Sequence, residues 1–252
     1  MDKHAAIEFN DVHFEYRLED SNTLNIIKGL SFLINKNEFI TLIGPSGCGK
    51  STLLYLIANI LKPTQGDVKV DFGLVKDASG FVFQDYVLFP WRNILENVRL
   101  PLELKGVKNS EANKLALEYI HLVGLDDFVN SFPKELSGGM KQRVGIARAL
   151  ITESPILLMD EPFNALDDIT RQEMYDELIN ILSVTKRTVV FVTHNINEAI
   201  FLSDKIFVLS KRPSIIKKII EVKLPKPRDT TILSSPEFYQ AYSETQQALK
   251  EK

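Results

Sequence analysis

A chain of 252 residues, 44% apolar and 25% charged, has material for a sizeable core in one large domain or a domain with a sub-lobe. Its net charge of −3 argues against a general nucleic-acid binder, and its single cysteine, Cys48, excludes an internal disulfide. No apolar run approaches a membrane span and Met1-Asp2-Lys3-His4-Ala5 lacks a signal-peptide core, so the expectation is a cytoplasmic protein that meets any membrane from one face, through partners.

In chain order, residues 7–16 alternate apolar and polar and read as a half-exposed strand, residues 17–26 are polar and read as a loop, and residues 30–34 make a second strand. Asn35-Lys36-Asn37 turns into residues 38–43, an apolar run of buried-strand character. A helix then runs from Lys50 and should end near Ile60, since Pro63 cannot continue it. Residues 67–71 and 81–83 read as short strands. Residues 94–131 are mostly helical, with Ser110 placed to cap a helix over 111–123 and Gly124 to stop it.

Residues 138–151 are expected as a helix and Ile156-Leu157-Leu158-Met159 as a wholly apolar, buried parallel strand. An amphipathic helix over 167–182, a strand over 188–193, a helix over 195–202 and a strand over 206–209 continue an α/β pattern. Residues 215–224 suggest one more strand, broken by Pro225 and Pro227, and residues 236–252 a peripheral polar helix. The front of the chain therefore predicts antiparallel sheet leading into a parallel, helix-covered core.

The first chemical signal is Gly44-Pro45-Ser46-Gly47-Cys48-Gly49-Lys50-Ser51-Thr52, which satisfies G-x-x-x-x-G-K-[ST]. At background composition that pattern arises by accident in a chain this long about one time in a hundred. Glycines let successive N–H groups turn inward as an anion nest, and the helix N-terminus adds its positive end there. Lys50 would reach the β- and γ-phosphates and the Ser51 hydroxyl would ligate Mg²⁺. Alone, this leaves kinases, GTPases and many ATPases open.

The apolar strand ending in Asp160-Glu161-Pro162 narrows the choice. A carboxylate at the C-terminal end of a parallel strand lies where such sheets bind ligands. Asp160 can hold Mg²⁺ through water, and Glu161 can orient or deprotonate the attacking water. A third stretch, Leu136-Ser137-Gly138-Gly139-Met140-Lys141-Gln142-Arg143, presents Ser137 as an N-cap and two bare glycines at a second helix start. One chain has no evident need of two phosphate seats unless the second serves another subunit's nucleotide.

With these stretches in place, the chain resembles an ATP-binding cassette (ABC) ATPase, the nucleotide-binding subunit of an ABC transporter. Residues 136–140 resemble that family's signature motif, residues 44–52 its Walker A and residues 156–161 its Walker B. Tyr16 stands where an aromatic stacks on adenine, Gln84 where the Q-loop glutamine touches Mg²⁺, Asn164-Ala165-Leu166-Asp167 resembles the D-loop, and His194 the switch histidine that bonds the γ-phosphate and water. The match covers roughly residues 6–224. Met140, Asn164 and Asn195 depart from the commoner Gln, Ser or Gly, and Asp, and none of these removes a catalytic group.

The resemblance implies a P-loop NTPase core with an antiparallel β subdomain and an inserted α-helical subdomain. A catalytic lobe would take about 1–84 and 154–224, a helical lobe 85–153, and a helical tail 225–252. It implies ATP and Mg²⁺ as cofactors and a homodimer in which each ATP lies between residues 44–52 of one copy and Ser137, Gly138 and Gly139 of the other. Tyr86-Val87-Leu88-Phe89-Pro90-Trp91, too apolar for a free loop, would receive the transmembrane permease subunits at the cytoplasmic face. Residues 88–91, 136–140, 209–213 and 224–228 resemble the nitrate, sulfonate and taurine importers, which implies an extracytoplasmic solute-binding protein in the same system. An ABC exporter or lipoprotein-release ATPase is the alternative, and a non-transport ABC ATPase a more distant one.

Overall fold

The computed structural model describes residues 5–18, 22–73, 79–164, 166–226 and 228–251. Its elements, numbered in chain order, group into two compact units, Met1–Phe72 with Arg187–Lys252, and Gly73–Lys186. The lobe limits at about 85 and 153 expected from the sequence are a proposed division by function, distinct from this grouping by contacts.

The first unit contains an antiparallel sheet in the order β2-β1-β4, from β1 (Ala5–Arg17), β2 (Thr23–Asn35) and β4 (Gln65–Val70). Phe9 is the register partner of Phe32 on one side and Val68 on the other, and the two rings stack at 4.3 Å. The loop expected over 17–26 is shorter than its polarity suggested. Tyr16 and Arg17 pair with Leu24 and Thr23, because polar residues at exposed positions satisfy a ladder as well as apolar ones do. Residues 19–21 lie outside the described set.

The same unit holds β3 (Phe39–Ile43), flanked in parallel by β7 (Thr188–Thr193) and β8 (Lys205–Leu209), with β9 (Ile216–Glu221) antiparallel to β8. Every residue of β3 and β7 is buried, which is why both read as apolar runs in which threonine is the only polar residue. Helix α1 (Lys50–Ile57) ends one turn before Ile60. Asn59 takes a left-handed conformation (φ 57°) and the Ile60 N–H returns to the Tyr55 carbonyl, so an asparagine closes the helix before Pro63 can.

Helices α6 (Ile196–Leu202) and α7 (Pro236–Lys250) complete this unit. α7 is less peripheral than its composition implied. Phe238, Ala241, Thr245 and Ala248 form a buried stripe, and Lys217 Nζ donates to the Ala248 carbonyl at 2.6 Å. Pro227 lies outside the described residues.

In the second unit β5 (Gly80–Val82) pairs in parallel with β6 (Ile156–Asp160). Around them are α2 (Ile94–Leu104), α3 (Asn109–Leu122), α4 (Gly138–Leu150) and α5 (Asp168–Thr185). A Cβ on Gly80 would stand 2.6 Å from the Ala149 carbonyl, so glycine there lets α4 close onto β5. Ser110 does not cap α3. The helix starts earlier, at Asn109, with Lys108 as its N-cap, whose carbonyl accepts from Glu111 and Ala112 N–H. Gly124 stops it as expected, left-handed at φ 65°.

Candidate nucleotide site

In the first unit β3 delivers the chain into residues 44–49 and α1 leaves from Lys50. Gly47 (φ 71°) and Gly49 (φ 112°) occupy backbone regions that other residues reach only under strain. Space demands the glycines as well. A Cβ on Gly49 would lie 2.7 Å from Ile26 Cγ2, and one on Gly44 would lie 3.0 Å from both Cys48 Sγ and Leu209 Cβ. Gly49 is the N-cap of α1 and offers no side chain to its first N–H groups, which leaves them for an anion.

Lys50 is buried, and its ammonium donates to the Gly44 and Pro45 carbonyls at 2.9 and 3.2 Å. The charge is thereby held at the mouth of its own loop. Thr52 is buried and Ser51 half-buried beside it. Cys48 fills the base of the loop. Burial raises its thiol pKa while the Lys50 charge opposes, so this sulfur packs rather than reacts.

His194 belongs to the same end of the same sheet. Ile43 and Thr193 are register partners, so Gly44 and His194 leave adjacent parallel strands side by side. The turn bearing His194 is fixed from beneath. The buried Glu198 carboxylate accepts from the Thr193 hydroxyl, which itself accepts from Asn195 N–H at 3.0 Å. Asn195 caps α6 through its side-chain oxygen, accepting from Asn197 and Glu198 N–H, so replacing aspartate leaves the cap in place. Tyr16, 39% exposed and edge-on to Phe14 at 4.9 Å, faces Leu24 across the strand pair; Ile26, which packs on Gly49, is two residues further along β2.

In the second unit Asp160 is buried at the end of β6, and Glu161 follows in a left-handed conformation (φ 43°). Asn164 Nδ2 donates to Glu161 Oε2 at 3.0 Å, and Asn164 N–H to the Glu161 carbonyl at 3.3 Å. The asparagine that departs from the family pattern thus holds the carboxylate, a role no linear reading gave it. Ala165 lies outside the described residues. Gln84 is exposed two residues beyond β5.

Ser137 caps α4, its hydroxyl accepting from Met140 N–H at 3.3 Å. A Cβ on Gly138 would be 3.0 Å from Tyr86 Oη, and one on Gly139 would be 2.8 Å from Thr170 Cγ2. Residues 86–91 form a firmly held loop whose rim is apolar, with Val87 53% and Trp91 70% exposed. The fully buried Asn97 accepts from Phe89 N–H (2.8 Å) and donates to the Phe89, Arg92 and Asn93 carbonyls. The Arg148 guanidinium donates to the Val87 and Tyr86 carbonyls at 2.8 and 3.2 Å. Neither residue carries a motif, so sequence gave no sign of them.

A buried strand, a left-handed glycine loop and a lysine-led helix define a P-loop nucleotide-binding protein. A family model described as ABC transporter matches residues 27–164. An uncharacterised ABC transporter ATP-binding protein of Methanocaldococcus jannaschii is 46% identical over 222 residues, 87% of this chain and 83% of that protein. The aliphatic sulfonates import ATP-binding protein SsuB of Bacillus cereus is 44% identical over 226 residues, 88% of each. Among solved structures, a dimeric ATP-binding cassette in a post-hydrolysis state with ADP and Pi superposes with a TM-score of 0.75 at 35% identity, covering 87% of this chain and all of that one. The chain belongs to the ABC transporter family, and it is an ATP-binding, ATP-hydrolysing subunit of that family. Among the described residues, no helix is long and apolar enough to cross a membrane.

Proposed function

We propose that the chain is the ATPase of an importer for a small anionic or organic solute, of the sulfonate type. It works as a pair of identical cassettes, peripheral to the cytoplasmic face of the membrane. The observation that carries this reading is the pair of glycine-opened helix starts, uncapped at α1 and capped by Ser137 at α4, in a chain 44% identical to a sulfonate import subunit. The paired cassettes are supported by dimeric neighbours. The extracytoplasmic solute-binding protein follows from the import role.

In this reading residues 44–52 and Lys50 hold the phosphates and Tyr16 stacks on the adenine. Ser137, Gly138 and Gly139 of the second copy cover the same nucleotide. The donors offered to a metal are the Ser51 hydroxyl, the Asp160 carboxylate and the Gln84 amide oxygen. All are hard oxygens, few in number, which suits a Mg²⁺ held mostly by phosphates and water. When bound, that ion neutralises charge on the transferred phosphoryl group. Glu161, steadied by Asn164, takes the proton of the attacking water, and His194 orients that water against the terminal phosphate. The rim at residues 86–91, held by Asn97 and Arg148, passes the resulting movement to permease subunits.

Glu161→Gln tests the chemistry. Turnover should fall about 10²–10⁴-fold, the usual worth of a general base, while ATP still binds and the protein elutes as a pair. Hydrolysis near the wild-type rate refutes Glu161 as the base. For the import role, ATPase activity of the assembled transporter should rise when a solute-binding protein loaded with an alkanesulfonate is added. Stimulation absent with every small anion offered removes that assignment.

A further inference from the structure

The turn between β8 and β9 is a built structure placed against the phosphate loop. Ser210 N–H donates to the Ile215 carbonyl at 3.0 Å, and Ile215 N–H donates back to the Ser210 hydroxyl at 3.0 Å. That hydroxyl donates in turn to the Lys211 carbonyl at 2.8 Å, with the Pro213 carbonyl at 3.4 Å. Ser214 is fully buried. Its N–H donates to the Ile26 carbonyl at 2.7 Å and its carbonyl accepts from Lys28 N–H at 3.2 Å. Ile26 is the side chain on which Gly49 packs, and Leu209, the last residue of β8, is the one on which Gly44 packs. The turn is therefore fastened on both sides to residues that touch the loop.

Arg212 is an exposed side chain of this turn. One guanidinium nitrogen, Nη2, stands 3.7 Å from where a Cβ on Gly47 would be. Gly47 is left-handed, exposed and without a side chain, so the approach from Arg212 to the loop backbone stays open. Among the described residues Arg212 makes no hydrogen bond or ion pair. A guanidinium is always charged, and its planar array of donors matches phosphate oxygens. Cys48, at the base of the loop, feels the charges of both Lys50 and Arg212, which places the two cations on one short stretch of backbone.

We propose that Arg212 is a further nucleotide-binding residue, a second side-chain cation that takes a phosphate oxygen of ATP or ADP at the Gly47 edge of the loop. The proposal rests on residues 44–52 being the phosphate seat. It gives the turn a role in the affinity step, which no motif in the chain assigned to it.

The test is titration of the full-length protein with ATP and with ADP, for wild type, Arg212→Gln, Arg212→Lys and Lys50→Ala, alongside urea unfolding without nucleotide. Arg212→Gln should weaken both nucleotides about tenfold, as expected for one charge-assisted contact, and Arg212→Lys should restore part of the loss. The dependence of affinity on salt should become shallower in Arg212→Gln. An unchanged Kd overturns the proposal even if turnover falls. So does a Kd that weakens only in step with a lower unfolding midpoint, since that describes a brace. If Lys50→Ala also binds ATP as wild type does, the phosphate-loop reading itself fails; if only Arg212→Gln is silent, that reading stands and Arg212 alone is excluded.

Discussion

Gly139 lies at the start of α4, where its missing side chain faces Thr170 in the first turn of α5. A Cβ there would sit 2.8 Å from Thr170 Cγ2, and ordinary contact begins at 3.4 Å, so Gly139→Ala forces the two helices apart by at least about 0.6 Å. Thr170 cannot swing away freely. Its hydroxyl donates to Asp167 Oδ2 at 2.7 Å and its N–H to Asp167 Oδ1 at 3.1 Å, and Arg143–Glu177 ties the same helices at 3.0 Å. Overpacking costs about 1–3 kcal/mol, against a gain of at most about 1 for alanine over glycine in a helix, leaving a net loss of about 1 kcal/mol at the middle of the overpacking range. Urea unfolding should show that loss as a lower midpoint at unchanged slope. Thr170→Ser removes Cγ2 and keeps the hydroxyl, so in that background Gly139→Ala should become neutral or stabilising. An equal loss in both backgrounds refutes the steric argument. If the double variant regains stability without regaining turnover, the glycine serves nucleotide as well as packing.

Other outcomes follow from single contacts. Asn97→Leu keeps the volume but strands the Phe89 N–H and the Arg92 carbonyl, while the Phe89 and Asn93 carbonyls keep the Arg92 and Asn97 N–H groups, so stability should fall by about 3 kcal/mol, with chymotrypsin cutting at residues 86–91. Resistance to cleavage at wild-type levels counts against Asn97 as the holder of that loop. Asn164→Ala should lower turnover about tenfold at unchanged ATP affinity, because a charge-assisted contact to Glu161 is lost while the phosphate loop is untouched; a weaker Kd in its place contradicts this. The Asp167 carboxylate is held below the usual aspartate range by hydrogen bonds from Thr170 N–H and hydroxyl. Its contribution to α5 is therefore present above the ordinary aspartate value and lost as pH falls through the depressed one. An NMR titration of Asp167 should place the midpoint below that ordinary value, and one at or above it removes the cap from the account.

Fold and site were legible wherever the cause lay within a few consecutive residues. The limits of β7 fall where the sequence put them because a fully buried strand needs a near-continuous apolar run. The end of α1 was misjudged because Asn59, not Pro63, turns the chain, and a left-handed asparagine leaves no pattern in sequence. Polar residues of β2 hid a strand because their ladder partners sit on exposed positions of β1. Within the site, glycines and phosphate-loop residues were visible as motifs. Asn97, Arg148 and Glu198 were not, since each acts on a backbone or hydroxyl group that only the fold brings near.

The two glycines of residues 137–139 look different once their neighbours are known. In sequence they argued for a second anion seat, and so for a partner's nucleotide. In the structure each already has an internal reason, Gly138 against the Tyr86 hydroxyl and Gly139 against the Thr170 methyl. A Ser-Gly-Gly start would be required here even in a cassette that never met a second copy. What points outward is the remaining chemistry of that helix end. Ser137 is exposed, its oxygen accepts from Met140 N–H, and its own proton is left to donate. The same contacts bind the signature to two other motifs of the unit. Tyr86 follows Gln84 by two residues, and Thr170 is held by Asp167 of the D-loop stretch. A displacement at the start of α4 therefore presses on both Tyr86 and Thr170, and under the function proposed above this packing is the route from a nucleotide held at Ser137 to the rim at residues 86–91.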